Sequence, residues 1–175
     1  MPELLPLVSS KGKVYILPLF LWIINSYSDK RLLWGSNYPF QILEKTYHDS
    51  ISIIKNHSDI PLILFPGNGI QINDKVDGIL FLSLISGRNA DMLIGKQVIT
   101  APILKQSSLE VLPTGYMLID SGKPTTASYM SNTIPIPADK NSVAACTAMA
   151  GEMLGLKLIF MDGGSGARNP ISEKM

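Results

Sequence analysis

Six consecutive residues, Asp162-Gly163-Gly164-Ser165-Gly166-Ala167, carry the strongest chemical signal in the sequence. They follow an apolar run. Three glycines let the backbone adopt positive φ and approach a ligand closely. Successive amides in such a turn form a concavity that binds anions, and Ser165 adds a hydroxyl donor, so a phosphate is the natural guest. Asp162 is placed to accept a hydrogen bond from a substrate hydroxyl or to take its proton. A tight strand-to-helix turn, with Asp162 capping the helix, would use the same residues. The motif is neither a P-loop nor a dinucleotide fingerprint, because the Lys-Ser/Thr ending and the G-x-G-x-x-G spacing are both absent.

Two further segments could do chemistry. In Ser83-Leu84-Ile85-Ser86-Gly87-Arg88-Asn89, Arg88 could meet a diphosphate through its planar fork, or sit solvated at a helix start. Thr114-Gly115-Tyr116 could present a tyrosine to a pocket or bury it in the core. His48 and His57 read as surface residues. Cys146, the single cysteine, reads as a small core residue in an alanine-rich helix. With one thiol there is no internal disulfide, and no Cys/His cluster suggests zinc. No Ser-His-Asp arrangement, no H-E-x-x-H and no convincingly spaced carboxylate pair appears, which disfavours hydrolytic chemistry. A net charge of +1 argues against a nucleic-acid surface.

These residues need a scaffold, and the 175-residue chain suits one domain. Pro39 to His57 reads as a helix, with Ile42, Leu43, Tyr47, Ile51 and Ile54 on one face. Asn37 is its candidate N-cap. Leu62 to Phe65, Ile79 to Leu82 and Val98 to Ala101 read as buried strands, with a short helix over Ala90 to Gly95. Val111 to Asp120 reads as a longer strand broken at Pro113-Thr114-Gly115. Ser121-Gly122 reads as a hairpin turn, with Thr125 to Met130 returning. Asp139 to Leu154 is a helix capped by Asp139 and stopped by Gly155, and Leu156 to Met161 is a strand. Short apolar strands alternating with helices predict an α/β fold with a parallel sheet, either open and doubly wound or closed into a barrel. In both, loops at the strand C-terminal ends hold the site. Val14 to Ile24 is apolar but falls short of the ~20 residues of a membrane span, and reads as buried strand in a cytoplasmic protein.

Four segments in register resemble one family: PLILFPGN (61–68), DGILFLSLISGRN (77–89), PTGYMLID (113–120) and GLKLIFMDGGSGA (155–167). The resemblance is to the geranylgeranylglyceryl (heptaprenylglyceryl) phosphate synthases and covers residues 59–173. It implies a (β/α)8 TIM-barrel fold. It also implies ether-bond formation between a polyprenyl diphosphate and the sn-3 hydroxyl of sn-glycerol 1-phosphate, with Mg²⁺ holding the diphosphate. By the same resemblance Phe160, Met161, Asp162, Gly163, Gly164, Ser165 and Gly166 bind glycerol 1-phosphate, and Asp162 stands where the family often has Glu and orients or deprotonates the attacking hydroxyl. Tyr116 matches a tyrosine near the prenyl channel. Leu33-Trp34-Gly35-Ser36 resembles a second-strand ending, which makes Ser36 a Mg²⁺ ligand. Association into homo-oligomers is implied as well.

The sequence departs from that pattern in its first part, where the family's first metal-binding aspartate is missing or displaced. Asp29, in Asn25-Ser26-Tyr27-Ser28-Asp29-Lys30, is the nearest carboxylate. Lys30 and Ser36 are too close for a strand–helix crossover. A complete barrel of this kind needs ~250 residues. The expectation is therefore a single partial barrel domain over 1–175, with its first unit degraded and its last two units missing. The alternative is an inactive remnant that binds phosphate weakly.

Overall fold

The computed structural model describes residues 51, 52, 55, 61–67 and 72–175. The apolar segment 14–24, Asp29, the stretch 33–36, His48, His57 and most of the 39–57 helix lie outside the described residues. Two compact units divide the chain, Met1–Ile79 and Leu80–Met175.

In the first unit Ile51, Ser52 and Lys55 are helical, and Ile51 is fully buried, as the apolar stripe over 39–57 requires. Strand β1 is short, Ile63–Leu64. Strand β2, Gly78–Leu84, begins here, and Ile63 and Leu64 pair in parallel with Gly78 and Ile79. Asp77 sets this register. Its carboxylate accepts the Leu62 N–H at 2.6 Å and the Lys55 ammonium at 2.6 and 2.9 Å, while the Leu62 carbonyl accepts the Asp77 N–H at 2.9 Å. Lys55, then the Leu62 amide, hold the Asp77 carboxyl below its ordinary range.

The second unit contains the rest of β2, a π-helical turn over Asp91–Gly95 that runs into helix α1 (Lys96–Gln106), and strand β3 (Glu110–Leu118). Helix α2 (Thr126–Ser131), helix α3 (Asn141–Met153) and strand β4 (Leu158–Asp162) follow. The strands lie in the order β2-β3-β4. β3 and β4 pair in parallel, with Tyr116 opposite Phe160 and Leu118 opposite Asp162. A parallel return needs a crossover, and α3 supplies it. The α/β fold expected from the sequence is therefore present. Met117, Ile119, Ile136 and Ala144 form a buried cluster, with Ile85 and Ala148 packed against it. A Cβ on Gly151 of α3 would meet Ile85 and Ile159 side-chain carbons at 3.0 and 3.3 Å, and one on Gly115 of β3 would meet the same carbons at 2.8 and 2.9 Å. Glycine at both positions lets helix and strand approach closely.

Several local expectations are corrected. Val98 to Ala101 is helix, inside α1, and the helix runs through Pro102. Proline in a helix interior costs ~3 kcal/mol. Burial of Leu104 returns ~1.5–3 kcal/mol. The buried Gln97 amide donates to the carbonyls of Leu82 and Met92, anchoring the first turn. The inward stripe is thus Gln97, Thr100 and Leu104, while Val98, Ile99 and Ile103 point outward. With polar residues inside and apolar residues outside, the stretch has no helical hydrophobic signature. Thr125 to Met130 is not a returning strand. Thr125 and Ser128 form a reciprocal capping box that starts α2. β3 is continuous through Pro113-Thr114-Gly115. The N-cap of α3 is Lys140 rather than Asp139. Cys146 is exposed and is not a core residue.

Gly155 does stop α3, as expected, and the geometry shows how. Its φ is +91°, the Leu156 N–H reaches the Gly151 carbonyl and the Gly155 N–H reaches the Glu152 carbonyl. This is a complete Schellman motif. A Cβ at Gly155 meets nothing within 4 Å, so its only cost is conformational. Gly155→Ala is expected to lower the unfolding free energy by ~1–2 kcal/mol. Urea denaturation followed by circular dichroism checks this, and an unchanged midpoint would contradict the assignment of the cap.

Candidate active site

The C-terminal ends of β3 and β4 lie side by side, and both lead into loops that pack together. Alternation along a strand puts Thr114, Tyr116 and Leu118 on one face of β3, with Phe160 and Asp162 on the same face of β4. The opposite face, carrying Gly115 and Ile159, receives α3. The face that carries Asp162 is therefore the one α3 does not cover.

Tyr116 and Phe160 are directly opposed, with ring centroids 6.0 Å apart and planes 14° apart, a stacked pair. The tyrosine ring then extends one residue pair further along the strand, and its hydroxyl donates to Asp162 Oδ2. The other oxygen, Oδ1, accepts the Gly164 N–H at 2.7 Å. Both carboxylate oxygens are thus held, one by a side chain from the neighbouring strand and one by the backbone two residues ahead. Burial, then the adjacent carboxylate, push the Tyr116 phenol far above its ordinary range, so it remains a donor at every physiological pH.

The glycine loop after Asp162 is a turn and does not lead into a helix among the described residues. Asp162 closes the turn itself. Gly164 and Gly166 have φ of +84° and +75°, and the Ala167 N–H closes back on the Gly164 carbonyl at 3.0 Å. Ser165 is exposed. The loop following β3 supports it from below. Ser121 accepts the Asn169 N–H on its carbonyl at 3.1 Å, and Asp120 Oδ1 accepts the Gly122 N–H at 2.9 Å. Thr125, the N-cap of α2, lies against Gly164, where a Cβ would come within 2.7 Å of the threonine Cβ.

Sequence reasoning singled out Asp162, the glycine loop and Tyr116, and the structure brings all of them together. It did not find Ser121, Thr125 or Asn169 as supports. The Thr-x-x-Ser spacing of a capping box was the available signal for Thr125. Ser121 is 2% exposed and its hydroxyl has no partner among the described residues. Arg88 is exposed and borders an apolar groove beside α3. Beside it Asn89 caps the following turn, accepting the Asp91 N–H at 3.0 Å and donating to the Ser131 carbonyl at 2.6 Å. Ser36 and Asp29, which the resemblance assigns to Mg²⁺, lie outside the described residues. Among the described residues no three His, Cys, Asp or Glu side chains gather into a metal site.

On the other side of the sheet an apolar groove of about 750 Å³ runs between α3 and the turn that follows β2. Ile85, Ala90, Leu93, Val143, Ala150 and Leu154 are among the residues that line it, and Cys146 opens onto it. Tyr116 does not.

Residues 19–175 match the PcrB family. The chain belongs to the PcrB family. It is 58% identical over 134 residues to the geranylgeranylglyceryl phosphate synthase of Spirosoma linguale, an alignment covering 77% of this chain and 54% of that protein. The synthase of the same name from Methanothermobacter marburgensis is 35% identical over 148 residues, 85% of this chain and 58% of that one. Among solved structures, (S)-3-O-geranylgeranylglyceryl phosphate synthase from Thermoplasma acidophilum, in complex with sn-glycerol-1-phosphate, superposes with a TM-score of 0.68 at 29% identity. That match covers 75% of this chain and 53% of the other. The chain spans about half the length of the curated relatives it matches. As a member of this family it has an incomplete TIM-barrel-type α/β fold, with β3 and β4 as neighbouring parallel strands. Its glycine loop then occupies the strand C-terminal face, where barrel enzymes carry their sites.

Gly164→Ala combines a left-handed φ with a clash against Thr125. It is expected to cost ~2–4 kcal/mol, more than Gly155→Ala, because overpacking adds to the conformational strain. The two variants compared in one urea series check the order. Equal costs would mean that Thr125 does not buttress the loop.

Proposed function

We propose that the protein transfers a polyprenyl group, geranylgeranyl-like, from its diphosphate to the sn-3 hydroxyl of sn-glycerol 1-phosphate. The observation that carries this reading is Asp162. It sits at the end of β4, directly before a glycine turn, with both oxygens held in place. The matched relatives are synthases of this name, and a structural neighbour holds sn-glycerol-1-phosphate.

In the proposed reaction the glycerol oxygen attacks the first carbon of the prenyl group. A carbon–oxygen ether bond forms, and the bond from that carbon to the diphosphate breaks. Diphosphate leaves with the electron pair, and the hydroxyl proton passes to Asp162. The glycine loop, Phe160 to Gly166, receives the glycerol phosphate, with the Ser165 hydroxyl and the Gly163, Ser165 and Gly166 amides as donors to the phosphate oxygens, since the Gly164 amide holds Asp162. Held this way, nucleophile and base meet without a bimolecular search, an advantage worth several kcal/mol of barrier. The prenyl tail requires hydrocarbon surroundings.

Mg²⁺ belongs to the same proposal. Ser36 and Asp29 would hold it; a hydroxyl and a carboxylate are the hard oxygen donors that this ion prefers. Bound there, the ion would supply charge compensation for the leaving diphosphate. No helix among the described residues is long and apolar enough to cross a membrane. The cytoplasm is part of this proposal as the site of the reaction.

The purified protein is to be incubated with labelled sn-glycerol 1-phosphate and prenyl diphosphates of graded length, with Mg²⁺ present or chelated. Ether product is expected with Mg²⁺, and Asp162→Ala should reduce kcat by ~10²–10⁴-fold, the usual contribution of a positioned base. Folded, monodisperse protein that yields no product would overturn the activity and favour a fold that binds phosphate without turning it over.

A further inference from the structure

The proposed function leaves Tyr116 without a role, yet the structure gives its hydroxyl a specific one. We propose that Tyr116 is a positioning residue that aims the Asp162 carboxylate at the acceptor hydroxyl, rather than a residue that only lines a channel. This rests on the reading of Asp162 as the base and goes beyond it.

The geometry that carries the proposal is a three-point fixation. β4 fixes the Asp162 backbone, since Leu118 pairs with it in the parallel ladder and the Ile119 N–H donates to its carbonyl at 2.9 Å. The Gly164 N–H fixes Oδ1 from the loop side. The Tyr116 hydroxyl fixes Oδ2 from the neighbouring strand. Tyr116 is itself held by its stack on Phe160, which leaves the phenol little freedom to swing. An aspartate side chain has two free torsions, and with both oxygens tethered neither is soft. Each oxygen keeps a second lone pair, so a substrate hydroxyl can still be received. The phenol, pushed far up by burial and by the carboxylate, does not ionise and compete for the proton.

Tyr116→Phe removes one tether of the carboxylate and keeps an aromatic ring against Phe160, which makes the idea testable. If the hydroxyl orients Asp162, kcat falls ~10–100-fold, with KM for sn-glycerol 1-phosphate changed less than about twofold. If the hydroxyl contributes nothing to orientation, kcat is unchanged, and the proposal is overturned.

A second readout does not depend on turnover. The carboxyl-carbon NMR signal of Asp162, assigned by its absence in Asp162→Asn, is recorded at neutral pH in the full chain and in Tyr116→Phe. Its chemical shift is expected to move, because the carboxylate loses a hydrogen-bond donor. An unchanged shift means the hydroxyl does not hold the carboxylate, which overturns this proposal and leaves the prenyl-transfer reading standing. A moved signal in a protein that makes no ether product overturns both the activity and Tyr116's part in it. Should Tyr116→Phe fail to fold, ring-fluorinated tyrosine at position 116 keeps the contact and strengthens the donor. The Asp162 signal should then move as well, and no change would again sink the idea.

Discussion

The parallel register between β3 and β4 is the constraint on which the site depends. Placing Tyr116 opposite Phe160 puts Leu118 opposite Asp162, and from that pairing the tyrosine hydroxyl reaches the Asp162 carboxylate. A slip of one residue would turn Asp162 toward α3 and Ile159 toward the site, because side chains alternate across a strand. Both faces of this pair make demands. One needs the glycines at 115 and 151 so that α3 can come close, and the other needs the aromatic stack and the carboxylate.

Support for the glycine loop comes from a part of the chain some forty residues earlier. The turn after β3, with Ser121, Gly122 and the capped start of α2, forms the floor on which Gly164 and Asn169 rest. Thr125 serves twice: its side chain starts α2 and its bulk fixes how near Gly164 can approach. A loop that carries chemistry must be held more firmly than its own glycines would hold it, since glycine loses the most conformational freedom on ordering. Here the firmness is lent by the neighbouring strand's loop and by Asp162 closing its own turn.

The two faces of the β3–β4 pair differ in chemical character. One carries a carboxylate with both oxygens tethered beside a turn of glycines, and the other borders the apolar groove along α3.

The sequence by itself determined the element types wherever burial is strongest. The apolar runs at 79–82 and 158–161 became strands, the small-residue stretch 141–153 became a helix ended by Gly155, and the glycine turn fell at a strand end. Such signals are local: an apolar run, a helical stripe and a positive-φ glycine each announce themselves within a few residues. Only the tertiary structure decided the segments whose local preference is outvoted. Val98 to Ala101 is rich in β-branched residues, yet it is helical because the capped turn before it, Gln97 and Leu104 fix its course. Thr125 to Met130 became helix through one reciprocal pair of hydrogen bonds. The meeting of Tyr116 with Asp162 was likewise invisible, since the two are 46 residues apart and only strand pairing across the α3 crossover joins them. Residue type singled out Asp162 and the glycine turn; the sheet register decided what holds the Asp162 side chain still.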